Sequence, residues 1–203
     1  MPAARHDTAI WLAVVCLSLA SCALLLPPQR DIDDKALLNQ IPSELPHRDR
    51  RTATVLVLPP ETAALYDTRE IAYTTRPHEI AYLTRRQWGE TPSEMLQPLL
   101  TKTLEDTRAF AAVVVPPYTA RYTCALETRI LELRQDFTAG SAAVVLSLRF
   151  RLTNAEGRVI ATKEVSLREP MRQLDSDAGV VAANDATAQA LREMAAFVVD
   201  NTD

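Results

Sequence analysis

The sequence predicts an α/β (α+β) single domain: a mostly antiparallel sheet with two main helices packed on one face. Three observations carry this. Residues 143–152 and 159–167 each alternate apolar and polar positions on either side of Asn154-Ala155-Glu156-Gly157, the pattern of antiparallel strands with one wet face. Thr91-Pro92-Ser93-Glu94 reads as a capped helix start ahead of Met95, Leu96, Leu99, Leu100 and Leu104 at helical spacing. The last stretch repeats Val180, Ala183, Thr187, Ala190, Leu191, Met194, Phe197 and Val198 as one helical stripe, with Asp177 as its expected cap.

In chain order, residues 35–41 form a short apolar segment that suits an edge strand or a single helical turn. The prolines Pro42 and Pro46 and the arginines Arg48, Arg50 and Arg51 make the next stretch a loop. Residues 53–58 are almost continuously apolar, as in a strand covered on both faces, and Pro59-Pro60 ends them. Residues 66–88 place Ile71, Tyr73, Ile80 and Tyr82 around Arg76-Pro77-His78 and predict a hairpin or two short strands. Pro98 conflicts with the helix that follows, because an interior proline removes a hydrogen bond; the helix should start later or bend there. Residues 111–115 read as a short strand stopped by Pro116-Pro117.

In residues 123–137, Cys124, Leu126 and Ile130 share one phase, and Leu131, Leu133 and Phe137 take the other. Such a change of phase within one strand predicts a bulge. Val144, Leu146, Leu148, Phe150 and Leu152 then face one way with Ser147, Arg149 and Arg151 opposite; Val159, Ala161, Val165 and Leu167 are expected inward on the strand after it.

The N-terminus carries a separate signal. Arg5 and His6 precede an apolar run over residues 9–20, which closes on Leu19-Ala20-Ser21-Cys22. A positive start, a short apolar stretch and small residues before a cut site describe an export signal. Ending in cysteine, it resembles a bacterial lipobox, which implies cleavage between Ser21 and Cys22 and acylation of Cys22. The alternative is an uncleaved anchor, since the apolar run extended through Leu26 reaches roughly the 17-residue minimum for a span. The resulting scheme is a signal over 1–21, a lipidated cysteine and tether over 22–52, and a folded domain over 53–201. A free tether of that length has a mean reach of roughly 30 Å.

Composition narrows the function. An apolar share of 47% and a charged share of 24% in 203 residues are those of one globular domain of ordinary size. The net charge of −4 gives none of the basic footprint that nucleic acid demands. Of three cysteines, Cys16 would leave with the signal and Cys22 would carry lipid, so Cys124 has no disulfide partner and reads as a small buried residue.

Catalytic chemistry is poorly supplied. His47 and His78 stand in separate loops without metal-ligand spacing, and Ser141 and Ser147 have no histidine near them in sequence. Asp31, Asp33 and Asp34 lack the glycine and distal glutamate of a calcium loop. The expectation is a protein that is not an enzyme, with no metal and no cofactor beyond the diacylglycerol and acyl chain on Cys22. Arg85, Arg86 and Trp88 set cations beside an aromatic ring, suited either to an interface or to a core edge with solvated arginines.

Several short stretches then fit a known family. Tyr66-Asp67-Thr68-Arg69, Ile71-Ala72-Tyr73, Glu79-Ile80-Ala81-Tyr82, Arg86-Gln87-Trp88-Gly89-Glu90-Thr91-Pro92, Met95-Leu96 and Gln135-Asp136-Phe137 resemble the ABC-type transport auxiliary lipoproteins, the Pqi-type lipoproteins that accompany MCE-domain transporters. The Tyr-Asp-Thr and Ile-Ala-Tyr variant looks closest to sterol or lipid transport auxiliary components. The long segment before residue 53 and Gly89, where alanine is commoner, depart from the pattern.

The resemblance implies a non-catalytic periplasmic lipoprotein that works with an MCE protein and, through it, with an inner-membrane permease and its ATPase. It also implies contact with membrane lipid and leaves room for a homo-oligomer. Ala23 after Cys22, in place of an aspartate, favours the outer membrane by analogy. The contact surface is expected at Tyr73, Tyr82, Arg86 and Trp88. Two other readings stand beside it: a carrier holding one acyl chain inside the fold, and a structural lipoprotein that helps assemble an outer-membrane protein.

Overall fold

A computed structural model describes residues 34–46, 49–138, 140 and 142–202. The signal, the cleavage site at Ser21 and Cys22, and also His47, Arg48 and Ser141 lie outside the described residues. Among the described residues the strands are β1 (Asp34–Ala36), β2 (Thr54–Val57), β3 (Glu61–Thr62), β4 (Glu70–Thr74), β5 (Ala81–Trp88), β6 (Ala112–Val114), β7 (Cys124–Asp136), β8 (Ala143–Asn154) and β9 (Val159–Pro170). The helices are α1 (Pro92–Asp106) and α2 (Ser176–Asn201). Among the described residues no helix is long and apolar enough to cross a membrane.

Strand β7 is the spine. One of its edges pairs antiparallel with β8 from Cys124↔Asn154 to Asp136↔Ala143. Its other edge is shared in turn by three short parallel strands: β2 at Cys124 to Leu126, β3 at Arg129 and Ile130, and β4 at Gln135 and Asp136. The antiparallel expectation holds for the long ladders, β7–β8, β8–β9 and the β4–β5 hairpin. The sheet as a whole is mixed, because β1, β2, β3 and β6 all pair parallel.

The phase change in β7 is a bulge. Pairing with β8 steps from Ile130↔Leu148 to Glu132↔Ser147 and leaves Leu131 over. The extra residue lets Leu133 and Gln135 rejoin the buried face of Leu126 and Ile130, and turns Glu132 and Arg134 to the other side. Leu126, Leu148, Phe150 and Leu152 are fully buried and join Leu100 and Leu104 of α1 and Leu191, Met194 and Val198 of α2 in one core. Each such side chain contributes roughly 1.5–3 kcal/mol on leaving water.

Helix α1 starts where the capping box places it, with the Glu94 carboxylate accepting the Thr91 backbone N–H at 2.8 Å. It does not start late, and Pro98 stands inside a continuous helix. The cap of α2 is Asp175, not Asp177: its carboxylate accepts the Ala178 N–H at 2.7 Å. Val159 is also corrected. It is 56% exposed, at the start of an edge strand where the β8–β9 register slips.

The folded body begins well before residue 53. Strand β1 is an edge strand beside β5, and Ala36 and Leu38 are core residues. The stretch read as the distal tether is thus partly a structural element.

Candidate functional site: a fastened N-terminal edge and a charged cleft

The sequence-predicted contact residues all belong to the β4–β5 hairpin, yet each has a different partner. The Tyr73 ring meets Phe137 edge to face, with centroids 6.3 Å apart and planes at 76°. The Tyr82 hydroxyl donates to the Leu65 carbonyl at 3.0 Å. Arg86 forms an ion pair with Asp177 in the first turn of α2. Trp88 is 3% exposed and packs in the core beside β1, so its ring is removed from the expected contact surface. An irregular register, with Glu70 opposite Gln87 but Ala72 opposite Tyr82, keeps these side chains from forming one row.

A buried amide fastens the entering chain. Asn184 of α2 accepts the backbone N–H groups of Asn39 and Gln40 at 2.8 and 3.1 Å, and donates to the carbonyls of Leu37 and Val180 at 2.9 and 3.0 Å. All of its hydrogen-bonding capacity is used, as a buried amide requires. Among the described residues no strand pairs with those groups, and α2 supplies their partner.

On the face of the sheet away from the helices, the bulge gathers a charged cleft of about 550 Å³ between the end of β7 and the β4–β5 turn. Tyr66, His78, Glu79, Glu132, Arg134 and Asp136 line it. His78 takes a left-handed φ of 67° at the turn.

Asp136 is the centre. Its carboxylate accepts the Thr138 N–H and hydroxyl at 2.8 and 2.7 Å and Arg168 at 2.6 Å, with Arg134 at 3.1 Å. Burial works against its charge, but the hydrogen bonds from Thr138, Arg168 and Arg134 outweigh that and hold it well below the usual carboxylate range. Arg134 also donates to Glu132 at 2.6 Å. Burial, then the charge of Glu132, raises the Tyr66 phenol.

The arrangement is one of matched ion pairs rather than a nucleophile beside a base. Among the described residues no cluster of His, Cys, Asp and Glu is placed to hold a metal. Cys124 is buried, and burial raises its thiol above the ordinary value against a contact from Thr202, as an inert core residue requires. The Asp136 network is absent from the sequence expectation; its one trace there is Gln135-Asp136-Phe137 among the stretches carrying the family resemblance.

The fold has solved counterparts. Protein XCC0632 from Xanthomonas campestris superposes with a TM-score of 0.73 at 20% identity, covering 82% of this chain and 94% of that one. An uncharacterized protein gives 0.67 at 14% identity over 81% and 97%. The hypothetical protein CT253 from Chlamydia trachomatis gives 0.52 at 11% over 74% and 98%. At these identities the likeness is one of fold. No curated protein matches the chain. The family described as the ABC-type transport auxiliary lipoprotein component matches residues 36–195, starting within β1 and ending in α2. Spanning most of the chain and all but one of its complete strands, that match shows that this protein belongs to the ABC-type transport auxiliary lipoprotein family.

Proposed function

We propose that this protein is a non-catalytic, lipid-anchored component of an MCE-type ABC system that moves lipids through the bacterial envelope. Cys22 carries the lipid, the body stands on the periplasmic face of the outer membrane, and it docks the distal end of an MCE protein. Permease and ATPase are reached indirectly. Family membership over residues 36–195, preceded by Leu19-Ala20-Ser21-Cys22, is the observation that carries this reading.

Two structural features support docking over a carrier role. The space between sheet and helices is filled by Phe150, Leu148, Leu126, Leu191 and Met194, all fully buried. At the Asp136 cleft, Glu132, Arg134, Asp136 and Arg168 are paired with one another, which suits a fixed surface better than proton transfer. The hairpin that holds Tyr73, Tyr82 and Arg86 is the docking surface, with Trp88 as its internal support.

Affinity purification from detergent-solubilised envelopes, with proteins and lipids identified by mass spectrometry, tests the proposal. Recovery of an MCE protein with its permease and ATPase is the expected result. Recovery of an outer-membrane barrel protein alone would replace transport by a structural role.

A further inference from the structure

Strand β9 is the long open edge of the sheet. It pairs with β8 from Ala143↔Pro170 to Thr153↔Val159, and among the described residues nothing pairs with its other side. Every second residue therefore turns its N–H and C=O outward, a template for another strand. Lys163, which could blunt such an edge, is drawn onto α2 by an ion pair with Glu193 at 3.0 Å.

We infer that β9 pairs antiparallel with β9 of a second copy of this chain, about a two-fold axis through Ser166. The residue pattern selects both partner and register. Keeping the helices of both copies on one side of the joined sheet requires residues of the same face to stand opposite one another. Among such registers overlapping most of the strand, centring on Lys163 or Glu164 sets like charges together, and centring on Val165 or Leu167 pairs no charges.

Centring on Ser166 places Lys163 opposite Glu169, Glu164 opposite Arg168 and Val165 opposite Leu167, each twice by symmetry. It also joins existing pairs. Arg168 already meets Asp136 at 2.6 Å and Glu164 already meets Arg149 at 2.9 Å, so the row would run Asp136, Arg168, Glu164 of the second copy, Arg149 of the second copy.

The test uses the full-length chain purified in detergent. With Ser166→Cys, the residue on the axis faces itself and a disulfide-linked dimer should form on mild oxidation. Thr162→Cys, opposite Pro170, and the unsubstituted chain should remain unlinked. In a second arm read by light scattering, Glu169→Lys sets two lysines opposite and should weaken association at least tenfold. The double variant Lys163→Glu/Glu169→Lys should restore it, and a circular dichroism spectrum checks that each variant is folded. A folded chain that stays monomeric at all concentrations would overturn the inference. So would a larger assembly in which Ser166→Cys does not cross-link, or equal cross-linking through Thr162→Cys.

Discussion

The side-chain oxygen of Asn184 accepts the Asn39 N–H at 2.8 Å, tying the start of the folded chain to the middle of its last helix. The same side chain serves Gln40 and Leu37, so its loss strands several partly buried backbone groups at once. Asn184→Ala should cost about 1–3 kcal/mol, the penalty for polar groups left unpaired. For a domain of this size that is a fall of roughly 2–4 °C in Tm per kcal/mol. Hydrogen exchange should quicken at residues 37–40 more than elsewhere; uniform quickening would mean that the amide has no special tie to that segment.

Gly179 should not tolerate a methyl group. A Cβ there would lie 2.1 Å from the Gln135 side-chain nitrogen and 2.4 Å from its amide carbon. Glycine to alanine inside a helix usually gains about 1 kcal/mol. Here the sign reverses, because Gln135 is itself 3% exposed and has little space in which to move. Urea denaturation should show Gly179→Ala less stable than the parent, with much of the loss recovered in Gly179→Ala/Gln135→Ser. Equal losses in both backgrounds would place the clash elsewhere.

Asp136 predicts an acid limb to stability. Its folded pKa is depressed, so its contribution is fully present above the unfolded carboxylate value near about 4 and is lost as pH falls through the folded value below it. Between about pH 5 and pH 2 the urea midpoint of the parent should fall more steeply than that of Asp136→Asn. At neutral pH the variant should be the weaker of the two, since Arg134 and Arg168 lose their shared anion. Parallel curves would remove Asp136 from the acid response.

Trp88 and Arg86 should separate stability from docking. Trp88→Ala should cost about 3–5 kcal/mol, as expected of a large buried ring. Arg86→Glu should leave a folded body yet reduce co-purification of the MCE protein. A folded Arg86→Glu variant with undiminished recovery would take that arginine off the docking surface.

Cys22→Ala should move the protein from the membrane to the soluble periplasmic fraction. Retention in the membrane at unchanged size would favour the uncleaved anchor.

The legible parts of the fold were those with local repetition. The β8–β9 alternation, the α1 capping box and the phase change in β7 are each written within a dozen or so residues, and each has its structural counterpart. The parallel joins were hidden because β2, β3 and β4 offer β7 only a few residues each, too few to carry a period. The cap of α2 was misplaced by two residues because Asp175 and Asp177 are both suitable acids; only the tertiary pairing of Asp177 with Arg86 distinguishes them. Trp88 was read as equally suited to surface and core, and its neighbour Ala36 on β1 decided for the core. The Asp136 cluster draws Arg134, Thr138 and Arg168 together through two ladders and a bulge, an arrangement no single window of sequence displays.

The early start of the body changes the mooring of the proposed lipoprotein. With β1 in the sheet from Asp34, the stretch left between an acylated Cys22 and the fold is residues 23–33. Fully drawn out, such a stretch reaches no more than about 40 Å at 3.3–3.6 Å per residue. Anchored through Cys22 as proposed, β1 would stand no farther than that from the membrane surface. Under that proposal a docking partner would have to reach the domain within this distance, and lengthening residues 23–33 with a flexible insert should relax the limit.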